Sequence, residues 1–234
     1  MRLVVFTANQ PRHVAFVESL QKAGHDLIAI FVEPKSILKP TTPALLSHWR
    51  RMRNAELEIF GDKLLIEAPV MAVRPGEISA CVQAAAFAYA ADRVVVFSAS
   101  WIRSPLLEAV QSRQSLNLHM GIAPSYRGSA CNFWAEYDYR PELVGAQVQR
   151  LSAGLDQGEI VAERRPMILA SRDPFVRGME AVQLGIEAMV EHLTRDYDES
   201  RDTAQAPNRL MRRSDFTESV ASDYLARPEV RAFA

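Results

Sequence analysis

Short apolar runs alternate along this chain with longer segments in which apolar residues recur at helical spacing. The first unit consists of residues 3–7, a helical segment over 14–24 and the apolar run Asp26–Val32. Short strands that alternate with helices specify a mostly parallel sheet with helices on both faces. The sequence therefore predicts an α/β fold with a doubly wound, Rossmann-like sheet.

The later part of the chain continues this pattern and then changes character. Residues 93–97 are a central apolar run, and residues 173–195 have the period of a long helix. The stretch 196–234 is polar and charged and contains Pro207. We therefore expect one domain over residues 1–195 and a short C-terminal appendage over residues 196–234.

The composition argues against several classes of partner. The 234 residues include 27 basic and 28 acidic side chains, so there is no excess of positive charge for nucleic acid. No apolar stretch is long enough to span a membrane. Cys81 and Cys131 lie in apolar helical surroundings and are predicted to be buried thiols in a reducing compartment. We expect a cytoplasmic protein with no nucleic-acid and no membrane partner.

Two polar residues stand in an otherwise apolar strand. Asn117 and His119 alternate with Leu116 and Leu118, so in a strand the two polar side chains project to one side. Polar groups at the carboxyl end of a parallel strand usually mark a ligand crevice. The alternative is a pair of core polar groups satisfied by nearby backbone.

A loop and a later turn extend this pattern. Residues 120–129 contain two glycines and a proline and lead to an apolar helical run over 130–135. Further on, Asp156 stands between Gly154 and Gly158 in a turn that can aim its carboxylate at the imidazole of His119. An amide, an imidazole and a carboxylate can together form one catalytic site.

The Asn-x-His strand, the loop and the Asp-containing turn resemble the folate-dependent formyltransferase family. Its members include glycinamide ribonucleotide formyltransferase, methionyl-tRNA formyltransferase and the sugar N-formyltransferases. The resemblance implies that residues 1–195 are a formyltransferase catalytic domain. There are two departures: Met120 stands where the family usually has Pro, and Ser98 where a Gly commonly ends the central strand. Neither departure touches the three reactive groups.

The resemblance implies transfer of a formyl group from 10-formyltetrahydrofolate to a primary amine, without a metal. In these implied roles Asn117 and a protonated His119 donate to the developing oxyanion, and Asp156 favours the imidazolium and takes the proton of the amine. The resemblance also places the folate ring beside two segments, with a core aromatic role as the alternative for Trp101. The implied folate-binding residues are Ser98, Ser100, Trp101, Ile102, Ala153 and Leu155.

The acceptor is predicted to bind at the loop that leaves the first strand. The purine enzyme of the family binds phosphate there on a glycine-rich loop. Here the loop contains no glycine, which predicts side-chain recognition of a different, larger substrate. The alternative is an ordinary helix start with Asn9 as N-cap. The predicted acceptor-binding residues are Asn9, Gln10, Arg12, His13, Tyr126 and Arg127.

Among the members of the family, the sugar N-formyltransferases fit this sequence best. Methionyl-tRNA formyltransferase has a further C-terminal β domain, and formyltetrahydrofolate hydrolases have an extra domain before the catalytic one; neither pattern is expected here. We therefore expect a nucleotide-linked amino sugar as acceptor, and a homodimer is compatible with the sequence. The alternatives are formylation of an amino-acid-type amine, such as a hydroxyornithine, and a non-catalytic folate- or nucleotide-binding module. No Gly-x-Gly-x-x-Gly follows the first strand, which argues against a nicotinamide dehydrogenase.

Overall fold

The computed structural model describes residues 1–35, 42–62, 69–169, 172–195 and 209–233. A seven-stranded sheet with the strand order β3-β2-β1-β4-β5-β7-β8 forms its centre, and β6 and β9 form a separate pair. The strands are β1 (Arg2–Thr7), β2 (Asp26–Val32), β3 (Val70–Ala72), β4 (Arg93–Val96), β5 (Leu116–His119), β6 (Tyr126–Gly128), β7 (Ala146–Arg150), β8 (Ile160–Arg164) and β9 (Arg209–Met211). Strands β1 to β5 of the large sheet pair in parallel, and β7 and β8 are added antiparallel. The predicted mostly parallel α/β fold is confirmed.

Helices cover both faces of the sheet. Helices α1, α2 and α6 contribute to one buried cluster, and α3 and α4 to a second cluster on the opposite face. The helices are α1 (Pro11–Lys22), α2 (Pro43–Phe60), α3 (Val82–Ala90), α4 (Leu106–Gln111), α5 (Cys131–Tyr137), α6 (Pro174–Arg195), α7 (Glu218–Ala226) and α8 (Pro228–Arg231). Within the described ranges, no helix has the length and apolar character needed to cross a bilayer.

Strand β1 shows why the sheet lies at the centre of the molecule. Leu3 and Val5 belong to the cluster on one face, and Val4 and Phe6 to the cluster on the other. All four side chains are fully buried. A strand covered on both faces reads as a continuous apolar run. Burial of each such side chain contributes about 1.5–3 kcal/mol to the free energy of folding. The buried strands hold their carboxyl ends in fixed positions at one edge of the sheet.

The described part of the C-terminal appendage packs closely on the rest of the chain. Strand β9 pairs in parallel with β6. The carboxylate of Glu218 accepts the backbone N–H groups of Ala44 and Leu45 at the start of α2, at 3.0 and 3.1 Å. Tyr224 and Val230 are buried in the same cluster as the core of the sheet. The division at residue 195 stays a prediction, and the described segment after it shares the core of the domain.

The two cysteines differ in burial, and Cys81 joins a separate 3₁₀ turn to α3. The turn, Ile78–Ala80, comes directly before Cys81 and α3. Cys81 lies at the surface end of α3 as its N-cap residue and is only half-buried, in contrast to the predicted buried thiol. Cys131 is buried as expected, and both thiols are free.

Candidate active site

The carboxyl end of β5 presents Asn117 and His119 to a crevice. Strand β5 lies between parallel β4 and antiparallel β7. Leu116 and Leu118 are buried in the core cluster, while Asn117 is half-buried and the His119 side chain is 5% exposed. Both polar side chains line the same crevice. The alternation of the strand therefore places an amide and an imidazole side by side.

Asp156 reaches both groups from the turn between β7 and β8. Its Oδ1 lies 3.4 Å from Nδ2 of Asn117 and 3.3 Å from Nδ1 of His119. Its Oδ2 accepts the backbone N–H of Gly128 at 2.8 Å. Asp156 adopts a φ of 49°, a left-handed conformation that Asp tolerates better than most residues. The turn is close-packed at Gly158, where a Cβ would overlap the carbonyl oxygen of Arg150.

Both ring nitrogens of His119 face acceptors in the protein. Nδ1 faces Asp156, and Nε2 lies 3.1 Å from the backbone carbonyl oxygen of Tyr126. A neutral imidazole carries one N–H, so the ring donates both hydrogen bonds only as the imidazolium. The geometry thus holds the ring in a fixed orientation and suits it to carry a positive charge beside the crevice.

The loop after His119 has no room for larger residues. A Cβ on Gly121 would overlap the Cβ of Cys131 and approach Nε2 of His119 to 2.8 Å.

Burial, and then the charge of Asp156, raise the pKa of the Cys131 thiol well above its ordinary value. A raised pKa favours the protonated thiol, which is a weaker nucleophile than the thiolate.

A buried carboxylate organises the segment after β4. Glu33 is 2% exposed, and its Oε2 accepts the backbone N–H of Ser100 at 2.5 Å. Its Oε1 accepts the N–H groups of Gly76 and Ile78 at 3.0 and 3.2 Å. Ser98 has a φ of 71°, which turns the chain away from the sheet. Glu33 thereby fixes one wall of the crevice.

The opposite wall is the segment after β7. The indole Nε1 of Trp101 donates to the carbonyl oxygen of Ala153 at 3.2 Å, so it bridges the two walls. Trp101 is 48% exposed and is not a core residue, whereas Ile102 is buried. The crevice has a volume of about 240 Å³. Its lining includes five of the predicted folate-binding residues and the three predicted catalytic residues: Ser98, Ser100, Trp101, Ile102, Leu155, Asn117, His119 and Asp156.

The crevice lining includes none of residues 9–13, the loop from β1 to α1 and the start of that helix. Arg12 pairs with the buried carboxylate of Glu56 at 2.6 Å, and its other Nη contacts the side chain of Gln10. His13 is fully buried against the ring of Phe97, at 4.9 Å between centroids. Burial, and then the charge of Arg12, lower the pKa of His13 well below its ordinary value.

Helix α1 is not capped by Asn9. Gln10 is the N-cap residue, and Asn9 accepts the backbone N–H of Lys35 at 3.0 Å through its Oδ1. Asn9, Gln10 and Arg12 thus make hydrogen bonds within the protein, while Nε of Arg12 and Nε2 of His13 are buried without a hydrogen-bond partner among the described residues. Their contact with an acceptor stays a prediction.

Tyr126 and Arg127 lie in β6, in the segment between β5 and α5. The Tyr126 hydroxyl donates to Asp138 at 2.9 Å, which contributes after burial to raising its pKa to about 12. Arg127 is buried and donates to the carbonyl oxygen of Leu155 at 3.2 Å. Both residues position backbone that forms the site, and an acceptor role for them stays a prediction.

Several residues that support the site were not predicted from the sequence. Glu33 is one, and Gln147 and Gln149 on β7 are others. The side chain of Gln147 exchanges two hydrogen bonds with the backbone of Ala123, at 2.9 and 3.1 Å, and accepts one from Gln149 at 3.0 Å. These contacts fix the loop that follows His119. Polar residues at alternate positions of β7 were the available signal, since two glutamines on a buried face need partners.

Comparison with known proteins agrees with this architecture. The Formyl transferase family model matches residues 1–190. A methionyl-tRNA formyltransferase of Anaeromyxobacter dehalogenans is 26% identical over 81% of this chain. The chain spans 57% of the length of that relative.

Solved structures with the same fold include two N-formyltransferases. A sugar N-formyltransferase from Shewanella sp. has a TM-score of 0.61 at 15% identity, over 92% of this chain and 78% of its own. An N-formyltransferase from Helicobacter canadensis, in complex with folinic acid and dTDP-3-aminofucose, has a TM-score of 0.55 at 14% identity, over 93% of this chain and 73% of its own. With four-fifths of its length matched by the family model, the chain belongs to the formyl transferase family.

Proposed function

We propose that this chain transfers the formyl group of 10-formyltetrahydrofolate to the primary amine of a small molecule, a reaction of one-carbon metabolism. The observation that carries the proposal is the position of Asp156, with one carboxylate oxygen 3.4 Å from the Asn117 amide and 3.3 Å from the His119 imidazole. All three groups border one crevice. Family membership supports the reaction class.

The crevice fits a flat heterocycle. Its walls are the segments near Ser100 and Leu155, and Glu33 ties the first wall to residues 76–78 by accepting N–H groups from Ser100, Gly76 and Ile78. A bound formyl-folate supplies a formyl carbon that an amine can attack. The walls orient that carbon toward the end of β5, where Asn117 and His119 lie.

Asn117 is the clearest donor to the formyl oxygen. A carboxamide has two N–H groups, and the hydrogen bond to Asp156 uses one of them. The second can donate to the oxygen that gains negative charge as the amine attacks. A donor placed in this way stabilises the transition state by about 3 kcal/mol.

His119 and Asp156 handle charge and protons. An imidazolium held between Asp156 and the Tyr126 carbonyl places positive charge beside the same oxygen. Asp156 can accept the proton that the amine loses when its nitrogen bonds to the formyl carbon. Breaking the bond from that carbon to the folate nitrogen leaves a nitrogen that takes up one proton, so the reaction balances.

The acceptor that we propose is a nucleotide-linked amino sugar. The folds of the Shewanella and Helicobacter enzymes support this choice, since the latter binds dTDP-3-aminofucose and folinic acid. An amino-acid-type amine, such as a hydroxyornithine, is the second candidate. We infer a cytoplasmic location from the two free thiols.

The proposal is tested by incubating the protein with 10-formyltetrahydrofolate and a panel of amines that includes nucleotide-linked amino sugars and N-hydroxyornithine. Mass spectrometry then looks for replacement of H by CHO. The matched control is Asp156→Asn, which keeps the shape of the side chain and removes its charge. Transfer by the wild type and not by the variant supports the proposal. Folate binding without transfer to any amine would favour the non-catalytic binding module.

A further inference from the structure

A second cavity, which we call the outer cavity, opens beside the catalytic crevice. It shares four lining residues with the crevice and adds four from the C-terminal appendage. The shared residues are Trp101, Gly128, Ser129 and Leu155, and the added ones are Leu210, Met211, Arg212 and Arg213. A ligand that leaves the crevice on this side would therefore pass over the appendage.

The appendage is fixed at this place by strand pairing. Strand β9 pairs with β6, and the N–H of Ser129 donates to the carbonyl oxygen of Met211 at 2.9 Å. Gly128 has a φ of 90°, and a Cβ there would overlap that same carbonyl oxygen. The close approach holds the two arginines that follow β9 at the rim of the outer cavity.

The floor of the outer cavity includes exposed apolar groups. Trp101 and Leu210 are 48% and 42% exposed, and both line this cavity. Leu155 lies between the crevice and the cavity, since it lines both. Large apolar side chains left exposed at the mouth of a site are typical of a surface that a ligand covers.

The rim of the outer cavity is positively charged. Arg212 and Arg213 are exposed, and the guanidinium of Arg103 stacks over Trp101 at 4.7 Å. Within the described parts of the chain, no carboxylate lines the cavity. Asp215 is the acidic residue nearest in sequence, and it accepts the backbone N–H of Arg212 at 2.8 Å. The arrangement offers guanidinium groups to an anion.

We propose that the C-terminal appendage builds the binding site for the tail of the folate, with the aminobenzoyl ring on Trp101 and Leu210 and the glutamate carboxylates on Arg212 and Arg213. This rests on the proposed function. The order of the surfaces matches the order of the ligand, which runs from a flat heterocycle through an apolar ring to two carboxylates. Guanidinium groups bind carboxylates bidentately. Phosphates of the acceptor are the other source of anions, but Trp101 and Leu155 belong to the folate walls.

Calorimetric titration with two probes tests this site. Folinic acid carries the glutamate. The methylamide of 5-formyltetrahydropteroate, which we call the pteroate, lacks the glutamate and any other carboxylate but keeps both ring systems. We expect the wild type to bind folinic acid about tenfold more tightly, which corresponds to about 1.4 kcal/mol. The double variant Arg212→Gln/Arg213→Gln should bind both probes equally, at the affinity of the wild type for the pteroate. Leu210→Ala should weaken both probes alike, because both contain the aminobenzoyl ring.

Arg231→Gln is the matched control, since it removes an arginine charge from α8 and should leave both affinities unchanged. Equal affinities of the wild type for the two probes overturn the inference and leave the proposed function standing. Loss of pteroate affinity in the double arginine variant also overturns it, because the arginines would then act on the crevice. Binding of inorganic pyrophosphate that depends on the two arginines, without a glutamate effect, assigns them to the acceptor instead. Absence of binding of either probe to the wild type counts against both proposals.

Discussion

The crevice at the end of β5 and the loop from β1 to α1 both carry polar side chains at the carboxyl edge of one sheet, but they use them differently. In the crevice, Asn117 has a second N–H beyond its hydrogen bond to Asp156. In the loop, Arg12 forms a buried ion pair with Glu56, and His13 is fully buried. The first region keeps an N–H donor for a ligand. The second uses most of its polar atoms in contacts within the protein, and Nε of Arg12 and Nε2 of His13 are buried without a hydrogen-bond partner among the described residues.

The difference shows that position in the topology is not sufficient to identify a binding residue. Edges of parallel sheets collect ligands because the strand ends expose backbone and side chains there. A polar residue at this edge can bind a ligand only if no other part of the chain satisfies it first. Glu56 lies 44 residues from Arg12 in sequence, so the loop alone cannot reveal the pairing.

The largest effect is expected at the crevice. Asp156→Asn, Asn117→Ala and His119→Ala should each lower kcat by about 10²–10³-fold, as removal of a transition-state donor or proton acceptor does. The Tm should change little, because the three side chains border a crevice. The double variant Asn117→Ala/His119→Ala should lose less than the product of the single losses. Normal turnover by that double variant would contradict the proposed catalytic role of the crevice.

A loss of stability is expected at the loop. Arg12→Ala leaves the carboxylate of Glu56, 1% exposed, with Arg53 as its remaining cationic partner among the described residues, at 3.2 Å. Removal of one partner of a buried pair costs about 3 kcal/mol, measurable as a lowered denaturant midpoint. Arg53→Ala is the matched control and should cost below about 1 kcal/mol, because that side chain is partly exposed.

An acceptor-binding role for Arg12 would give a different result from this loss of stability. If Arg12 binds the acceptor, the variant keeps its stability and raises the KM for the acceptor far more than the KM for the folate. Such a result would place the loop with the crevice as a ligand-binding region.

The third effect depends on pH and on the aromatic cluster that joins the appendage to α2. Burial, and then Arg51, lower the pKa of His48 to about 4. The ring of His48 lies 4.7 Å from Phe216 and 4.9 Å from Phe175.

Proton uptake by the unfolded chain sets the direction in which stability changes with pH. The unfolded chain protonates His48 near pH 6.5, while the native state stays neutral until about pH 4. Stability from this group is therefore complete above pH 6.5 and is lost as the pH falls toward 4, by up to about 3 kcal/mol. The variant His48→Phe should flatten the pH dependence of the unfolding free energy in this window. An unchanged slope would show that His48 does not stay neutral in the native state.

The smallest effect is expected at Gly178 in α6. A Cβ at this position meets no atom within 4 Å. Gly178→Ala should therefore stabilise the protein by about 0.5–1 kcal/mol through helix propensity alone. Chemical denaturation measures the gain, and Gly185→Ala is the contrasting variant, because a Cβ there would approach Ala146 and Leu118 to 2.6 and 2.8 Å. Destabilisation by Gly178→Ala would contradict the open space beside α6.

The sequence was sufficient for the features that depend on local pattern. The alternation of Asn117 and His119 with leucines, and the glycines around Asp156, gave the strand and the turn. The apolar periodicity gave the order of strands and helices. These signals are local because the alternation of side chains along a strand and the preference of glycine for turns do not depend on the surrounding fold.

The features that the sequence did not predict depend on tertiary partners. Glu33 follows an apolar strand and reads as an ordinary loop residue, yet it accepts backbone N–H groups from Gly76, Ile78 and Ser100. The pairing of β9 with β6 joins segments 83 residues apart in register, Tyr126 with Arg209, and no periodicity encodes such a contact. For the same reason Cys81 was expected inside and is found near the surface.

The close contact at Gly128 limits how freely the end of this chain can be exchanged. The family match stops at residue 190, so β9 lies outside the shared part, while Gly128 lies within it. The N–H of Gly128 holds the carboxylate of Asp156, and its missing side chain leaves room for Met211. A chimera that carries this appendage on another formyltransferase therefore needs a glycine at the equivalent of position 128. Without it, a side chain at this position would overlap the carbonyl oxygen of Met211 in β9, and the N–H that Asp156 accepts would have to move.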